Sequence, residues 1–115
     1  VRFHEPFGFM DYNQLQRQSA CVLSDSGTIS EESTMLGFPA ITLRSSIERP
    51  EALDTGAITM TDLAPAQVVT GIEFAMQRGR SPQIPTDYDI TNTSERVVNF
   101  MISTAPQHRF WSGLR

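Results

Sequence analysis

Three short apolar runs alternate with segments of helical pattern, and this alternation constrains the fold more than any other feature of the chain. The runs span residues 20–23, 40–43 and 57–60. The first is apolar on both faces and ends in turn and cap residues, which is typical of a buried parallel strand. Strands that alternate with helices imply right-handed crossovers and a parallel sheet. The sequence therefore predicts an α/β fold with helices flanking the sheet.

One helix is expected before the first apolar run and another directly after it. Asp11 is the expected cap of the first helix, which runs to Ser19. Thr28 and Glu31 match a capping box, in which each side chain satisfies a free backbone amide at the start of the second helix. Gly37 is expected to close that helix.

The rest of the chain is predicted to complete one domain over residues 1–115. Further helices are expected from Pro50, from Pro65, and from Thr93 or Ser94 to about Ser103. Residues 78–92 are predicted to form a linker-like loop, and residues 93–115 a C-terminal helix and tail. Some apolar residues near this end either complete the domain's own core or stay partly exposed for a missing part of the protein: Val97, Val98, Met101, Phe110 and Trp111.

Charge and composition exclude several classes of function. The formal net charge is −4, so the chain lacks the basic footprint of a nucleic-acid-binding protein. No apolar run approaches the roughly 20 residues that cross a bilayer, so no membrane insertion is expected. Cys21 is interpreted as a small buried hydrophobe in a strand, and neither histidine has a partner at a metal-ligand spacing. We expect no metal, no cofactor and a cytoplasmic setting.

Two loops carry residues suited to binding a phosphate. Residues 24–28 follow the first predicted strand and residues 44–50 follow the second, so both loops leave the carboxyl edge of the sheet, where ligands of open parallel sheets bind. Gly27 permits close approach to the backbone, Ser26 adds a hydroxyl, and the free amides near Thr28 mark a helix start that favours anions. Arg49 offers a planar fork of donors.

Plain structural roles remain open for the same residues. Helix capping alone explains residues 26–31, and a lone arginine is more often a solvated surface charge. If a nucleotide does bind, a carboxylate beside its phosphates would repel them. We therefore assign Glu31 to the capping box and predict that Glu32 accepts hydrogen bonds from the ribose hydroxyls.

The spacing of three motifs resembles the non-hydrolysing UDP-N-acetylglucosamine 2-epimerases. The motifs are Leu-Ser-Asp-Ser-Gly-Thr-Ile-Ser-Glu-Glu at 23–32, Leu-Gly-Phe-Pro-Ala at 36–40 and Glu-Arg-Pro-Glu-Ala at 48–52. The resemblance implies a Rossmann-like, UDP-binding domain, similar to the C-terminal half of a GT-B-type two-domain fold. In that fold the UDP lies in a cleft between the two halves, so the resemblance also implies a missing N-terminal domain.

Individual roles follow from the resemblance. It implies that Ser26 and Gly27 bind the diphosphate together with Arg49, which Glu48 supports. It also implies that Glu32 binds the ribose.

The resemblance also implies the identity of the ligand. Tyr12 falls near the position where the family contacts uracil. The ligand is then a UDP-N-acetylhexosamine. A homodimer is expected, since family members are often dimers.

One departure from the commonest pattern is Thr28, where most members have a second glycine. The Asp-Ser-Gly-Thr form, together with residues 7–13, resembles the branch that makes UDP-N-acetyl-L-fucosamine for capsule and O-antigen synthesis. Assignment to this branch is a more specific prediction than assignment to the family.

The mechanism that the resemblance implies is elimination of UDP, followed by its re-addition with inverted configuration at the second carbon of the sugar. The family's catalytic carboxylates lie in the amino-terminal half, so no catalytic residue is assigned in this chain. Val1 is not an initiator methionine, which agrees with a fragment of a longer protein. We expect the chain alone to be inactive.

Two other functions compete with this one. The donor-nucleotide half of a GT-B glycosyltransferase shares the fold, but usually has a different spacing of glutamates after the phosphate turn. A non-catalytic nucleotide-binding module belongs to another class. A gene that starts and stops at these residues would favour that module.

Overall fold

A computed structural model describes residues 1–80, 84–86 and 88–113. Its helices and strands are, in chain order, α1 (Phe9–Gln18), β1 (Val22–Ser24), α2 (Ile29–Leu36), β2 (Ala40–Leu43), α3 (Glu51–Asp54), β3 (Ile58–Thr61), α4 (Pro65–Arg78), α5 (Thr93–Thr104), a 3-10 turn (Ala105–Gln107) and α6 (His108–Trp111).

The strands form a parallel sheet in the order β1-β2-β3. The strand predicted over residues 40–43 is confirmed as β2, whereas β1 and β3 begin at Val22 and Ile58, slightly later than predicted. The reason is register: Val22 and Ile58 are the residues that pair with Ala40 at the start of β2. The α/β class with a parallel sheet is confirmed.

The expectation that the first apolar run is buried on both faces is wrong. Cys21 lies outside β1 and is only half-buried, so it is not a buried strand residue. Leu23 is 43% exposed, whereas its neighbour Val22 packs against the core. Successive strand side chains point to opposite faces, and the face that Leu23 occupies is partly open to solvent.

The core lies between the sheet and the helices on one of its faces. Its buried cluster consists of Ile29, Phe38, Ala40, Ala52, Ala57 and Ile58. The opposite face packs against α4, where Gly71 and Ala75 are buried and Gly71 approaches Ile41 of β2. Because Ala40 and Ile41 face opposite sides of β2, helices cover both faces of the sheet.

The first helix differs from its prediction in both its start and its buried face. It begins at Phe9 with Gly8 as N-cap, and Asp11 lies in the first turn rather than at the cap. Tyr12 and Leu15, the expected apolar face, are 41% and 50% exposed. The buried residue of α1 is the polar Gln16 instead.

The capping box predicted at the start of α2 is also wrong. Thr28 occupies the N-cap position but has helical backbone angles and makes no side-chain capping bond. Glu31 is drawn to the guanidinium of Arg49, a stronger partner than a backbone amide. At the other end, Gly37 closes the helix with a φ of 69°, as predicted.

The C-terminal region stands apart from the sheet. No residue of α5 is buried, and its main packing is against the 3-10 turn that follows it. The apolar residues whose burial was left open are all exposed: Val97, Val98, Met101, Phe110 and Trp111. The radius of gyration is 18.1 Å, against roughly 13 Å for a compact domain of this length. Within the described ranges, no helix has both the length and the apolar character needed to span a membrane.

Candidate nucleotide-binding site

The sheet brings the two predicted loops to one edge. β1 and β2 are neighbours, and Ser24 pairs with Thr42 near their carboxyl ends. Residues 24–28 and 44–50 leave the sheet directly after these strands. Adjacent strands lie about 5 Å apart, so both loops can reach a single small ligand.

Gly27 is the point where the two loops meet. A Cβ placed on Gly27 would lie 3.6 Å from Nη1 of Arg49 and 3.8 Å from Nη1 of Arg44. Two guanidinium groups therefore face one bare Cα just before the start of α2. Guanidinium groups and the amides of a helix start both favour phosphate oxygens, so this arrangement has the chemistry of an anion site.

The turn before α2 is held by its own hydroxyl groups. Ser24 Oγ accepts a hydrogen bond from the Ser26 amide at 3.0 Å. Ser26 Oγ accepts a longer one from the Thr28 amide at 3.3 Å and lies 2.9 Å from Thr28 Oγ1. Ser26 and Thr28 are both exposed, so their hydroxyl groups are accessible beside Gly27.

Each of the two arginines is paired with a carboxylate. Arg49 Nη1 lies 2.8 Å from Glu31 Oε2, and Arg44 Nη2 lies 3.0 Å from Glu48 Oε1. The expectation that Glu48 supports Arg49 is therefore wrong. Glu48 reaches back across its own loop to Arg44, while the Arg49 side chain extends to α2.

The Glu32 side chain points toward α1. Its Oε2 accepts a hydrogen bond of 2.6 Å from Nε2 of Gln16, which is only 3% exposed. Tyr12 precedes Gln16 by four residues on α1, so the two share one side of that helix. The Glu32 carboxylate therefore contacts the side of α1 that also carries Tyr12.

Arg44 and Gln16 were missed by the sequence reasoning. Arg44 is the first residue after β2, and the reasoning that selected Arg49 applied equally to it. Gln16 carried no such signal, because a polar residue on a helix gives no indication of a carboxylate partner distant in sequence.

An open cleft of about 770 Å³ extends from Arg44 and Asp25 toward residues 62–64 beyond β3.

Cys21 has no features of a reactive thiol. Partial burial raises the pKa of the Cys21 thiol, and the positive charge of Arg78 offsets this only in part. A raised pKa leaves less thiolate at neutral pH, and the thiolate is the nucleophilic form. Among the described residues, no cluster of three or more histidine, cysteine, aspartate or glutamate side chains could hold a metal ion.

Comparison with known proteins identifies the family. A sequence model of the family described as "UDP-N-acetylglucosamine 2-epimerase" matches residues 1–102. The chain belongs to the UDP-N-acetylglucosamine 2-epimerase family. Among curated relatives, the UDP-N-acetylglucosamine 2-epimerase of Methanocaldococcus jannaschii is 28% identical over 101 residues, covering 88% of this chain. That of Neisseria meningitidis is 30% identical over 106 residues, covering 89% of this chain.

A solved epimerase structure agrees with the fold. The UDP-N-acetylglucosamine 2-epimerase from Rickettsia bellii superposes with a TM-score of 0.83 at 31% identity, over 94% of this chain and 31% of that one. This neighbour has a GT-B fold, so the predicted Rossmann-like fold of that type is confirmed. The chain spans just over a quarter of the length of its curated relatives, 27% and 28% for the two above.

Proposed function

We propose that this chain is the UDP-binding half of a UDP-N-acetylhexosamine 2-epimerase. The observation that carries the proposal is the convergence of Arg44 and Arg49 on Gly27, at the start of a helix and the carboxyl edge of a parallel sheet. Membership of the epimerase family supports the reaction class. No comparable observation favours a glycosyltransferase or a non-catalytic module.

The proposed ligand lies along the edge of the sheet from Gly27 toward α1. Its diphosphate binds at Gly27, between Arg44 and Arg49, with the hydroxyl groups of Ser26 and Thr28 as further donors. The ribose binds Glu32, whose Oε2 is held by Gln16, and the uracil lies near Tyr12. In support of this order, Gln16, which holds Glu32, lies four residues after Tyr12 on α1.

The proposed chemistry is departure of UDP and its return with inverted configuration at the second carbon of the sugar. UDP leaves as an anion, and donors that are already in place stabilise the developing charge without reorganising. The same donors retain UDP for the return step, which keeps that step effectively unimolecular. Another part of the protein supplies the acid and base, and the chain alone is expected to be inactive.

The proposal extends to the biological setting. Thr28 in the place of the family's commoner glycine supports the UDP-N-acetyl-L-fucosamine branch, and hence a cytoplasmic role in bacterial surface-polysaccharide synthesis. The domain limits, 1–115 with a linker at 78–92, and a homodimer remain predictions.

Calorimetric titration with UDP tests the proposed site. Arg49→Ala should weaken UDP binding by about tenfold or more, because charge-assisted hydrogen bonds to phosphate are among the strong ones. Arg96→Ala is the matched control: it removes the same charge from the exposed helix α5 and should leave the affinity unchanged.

Two results would contradict the proposal. One is a folded protein that binds no UDP, which would mean that the residues of the two loops serve only as helix caps and surface charges. The other is an equal loss of affinity in Arg49→Ala and Arg96→Ala, which would mean that net charge rather than the Gly27 site attracts the nucleotide.

A further inference from the structure

Arg44 and Arg49 use different guanidinium nitrogens to contact their carboxylate partners. Glu48 contacts Nη2 of Arg44, while Nη1 is the nitrogen that faces Gly27. Glu31 contacts Nη1 of Arg49, the same nitrogen that faces Gly27. Glu48 therefore leaves the ligand-facing nitrogen of its arginine available, whereas Glu31 occupies that of Arg49.

We infer that Glu31 is a built-in competitor for the diphosphate, and that it sets how tightly this site holds its anionic ligand. The inference rests on the proposed function, because it assumes that the diphosphate binds at Gly27. The Glu31 carboxylate takes the place of a phosphate on Arg49 when the site is empty. Ligand binding is then an exchange, in which a phosphate displaces Glu31 from Arg49.

The position of Glu31 suits this role. It lies in the first turn of α2, where the helix dipole attracts any anion, so the carboxylate and a phosphate compete for the same two positive groups. Its side chain is 32% exposed, which leaves it room to move aside when the ligand arrives. A carboxylate and a phosphate on one guanidinium nitrogen repel each other, so binding of the phosphate favours movement of Glu31 away from Arg49.

Glu48 has the opposite role. Because it bonds the nitrogen that faces away from Gly27, it orients the guanidinium of Arg44 without blocking it. Its side chain is 69% exposed, so solvent screens the Glu48 carboxylate more than the Glu31 carboxylate, which is 32% exposed. The two glutamates carry the same carboxylate, but only Glu31 occupies the arginine nitrogen that faces Gly27. Substitution of each by glutamine therefore gives a matched comparison.

The test is calorimetric titration of the whole protein with UDP, and separately with inorganic pyrophosphate. Glu31→Gln should tighten binding of both ligands about two- to fivefold, the range expected for release of a partly exposed ion pair. Glu48→Gln should give no gain. Glu51→Gln removes a nearby carboxylate that makes no ion pair within the described residues, and it should also give no gain.

A double variant separates competition from general electrostatics. On an Arg49→Ala background, Glu31→Gln should no longer improve affinity, because the nitrogen for which it competes is absent. Unchanged or weaker UDP binding by a folded Glu31→Gln protein would overturn the inference, as would equal gains in Glu31→Gln and Glu51→Gln. Since the wild-type protein binds UDP in those cases, the proposed function would survive. Failure of the wild-type protein to bind UDP would overturn both.

Discussion

Gly27 is the residue on which the candidate site depends. Its missing side chain leaves a space bounded by two guanidinium groups, 3.6 and 3.8 Å from where a Cβ would lie. These distances are ordinary van der Waals contacts, so an added methyl group fits without displacing either guanidinium. The same methyl group would occupy the space through which a phosphate reaches the backbone.

Substitution of Gly27 should therefore change the affinity for UDP without changing the thermal stability of the fold. We expect Gly27→Ala to weaken UDP binding by about tenfold or more while the melting temperature changes by less than about 2 °C. Calorimetry and thermal unfolding measure the two effects. Gly8→Ala is the control for binding and should leave the UDP affinity unchanged, since its Cβ would lie 3.8 Å from Asp11 in an exposed region. A large fall in melting temperature for Gly27→Ala would make Gly27 a structural glycine.

At the scale of elements, α4 covers one face of the sheet. It packs against β2 and β3, and its buried residues are Gly71 and Ala75. A Cβ on Gly71 would lie 2.7 Å from Cγ2 of Thr61 and 3.7 Å from Cγ2 of Ile41. The first distance is shorter than van der Waals contact permits, so either α4 or the Thr61 side chain has to shift if residue 71 carries a side chain.

Gly71→Ala should destabilise the fold in spite of the higher helix propensity of alanine. We expect a loss of about 1–3 kcal/mol in the free energy of unfolding, as for overpacking elsewhere, measured by urea denaturation. Thr61→Ser removes the methyl group that the new Cβ would meet, so the double variant should recover part of the loss. A Gly71→Ala protein as stable as wild type would show that α4 adjusts at no cost.

At the scale of the whole molecule, the chain divides into a packed body and an exposed C-terminal region. The body contains the sheet and α2 to α4, whereas α5 buries none of its 12 residues. A helix of this length without a packed face is marginal in water. The extents of 57 × 31 × 29 Å show that the molecule is elongated.

Hydrogen exchange of the isolated chain should resolve the two regions. We expect the amides of α5 to exchange with little protection and those of β2, whose Ile41 and Thr42 are fully buried, to be the most protected. The amides of α4 serve as an internal reference, because this helix packs on the sheet. Equal protection of α5 and β2 would mean that α5 packs against the body in solution.

Local patterns in the sequence were sufficient for the order of helices and strands and for the two loops at the carboxyl edge of the sheet. The apolar run of β2 and the glycine that closes α2 each depend on neighbours in the chain, and both were placed correctly. The positions of Gly27 and Arg49 on one edge followed from connectivity, since parallel strands share their carboxyl edge. The resemblance of spaced motifs identified the family for the same reason: the motifs are short and continuous.

Only the tertiary structure decided which side chains meet. Arg49 pairs with Glu31 across 18 positions, and Gln16 with Glu32 across 16, and neither pair has a signature in the sequence. The absence of the capping box and the Arg44–Glu48 pair have the same cause. A charged side chain forms its strongest interaction with an oppositely charged group nearby, and the folding of the loops determines which group is nearby. Exposure of α5 likewise depends on contacts between distant segments, which periodicity alone cannot reveal.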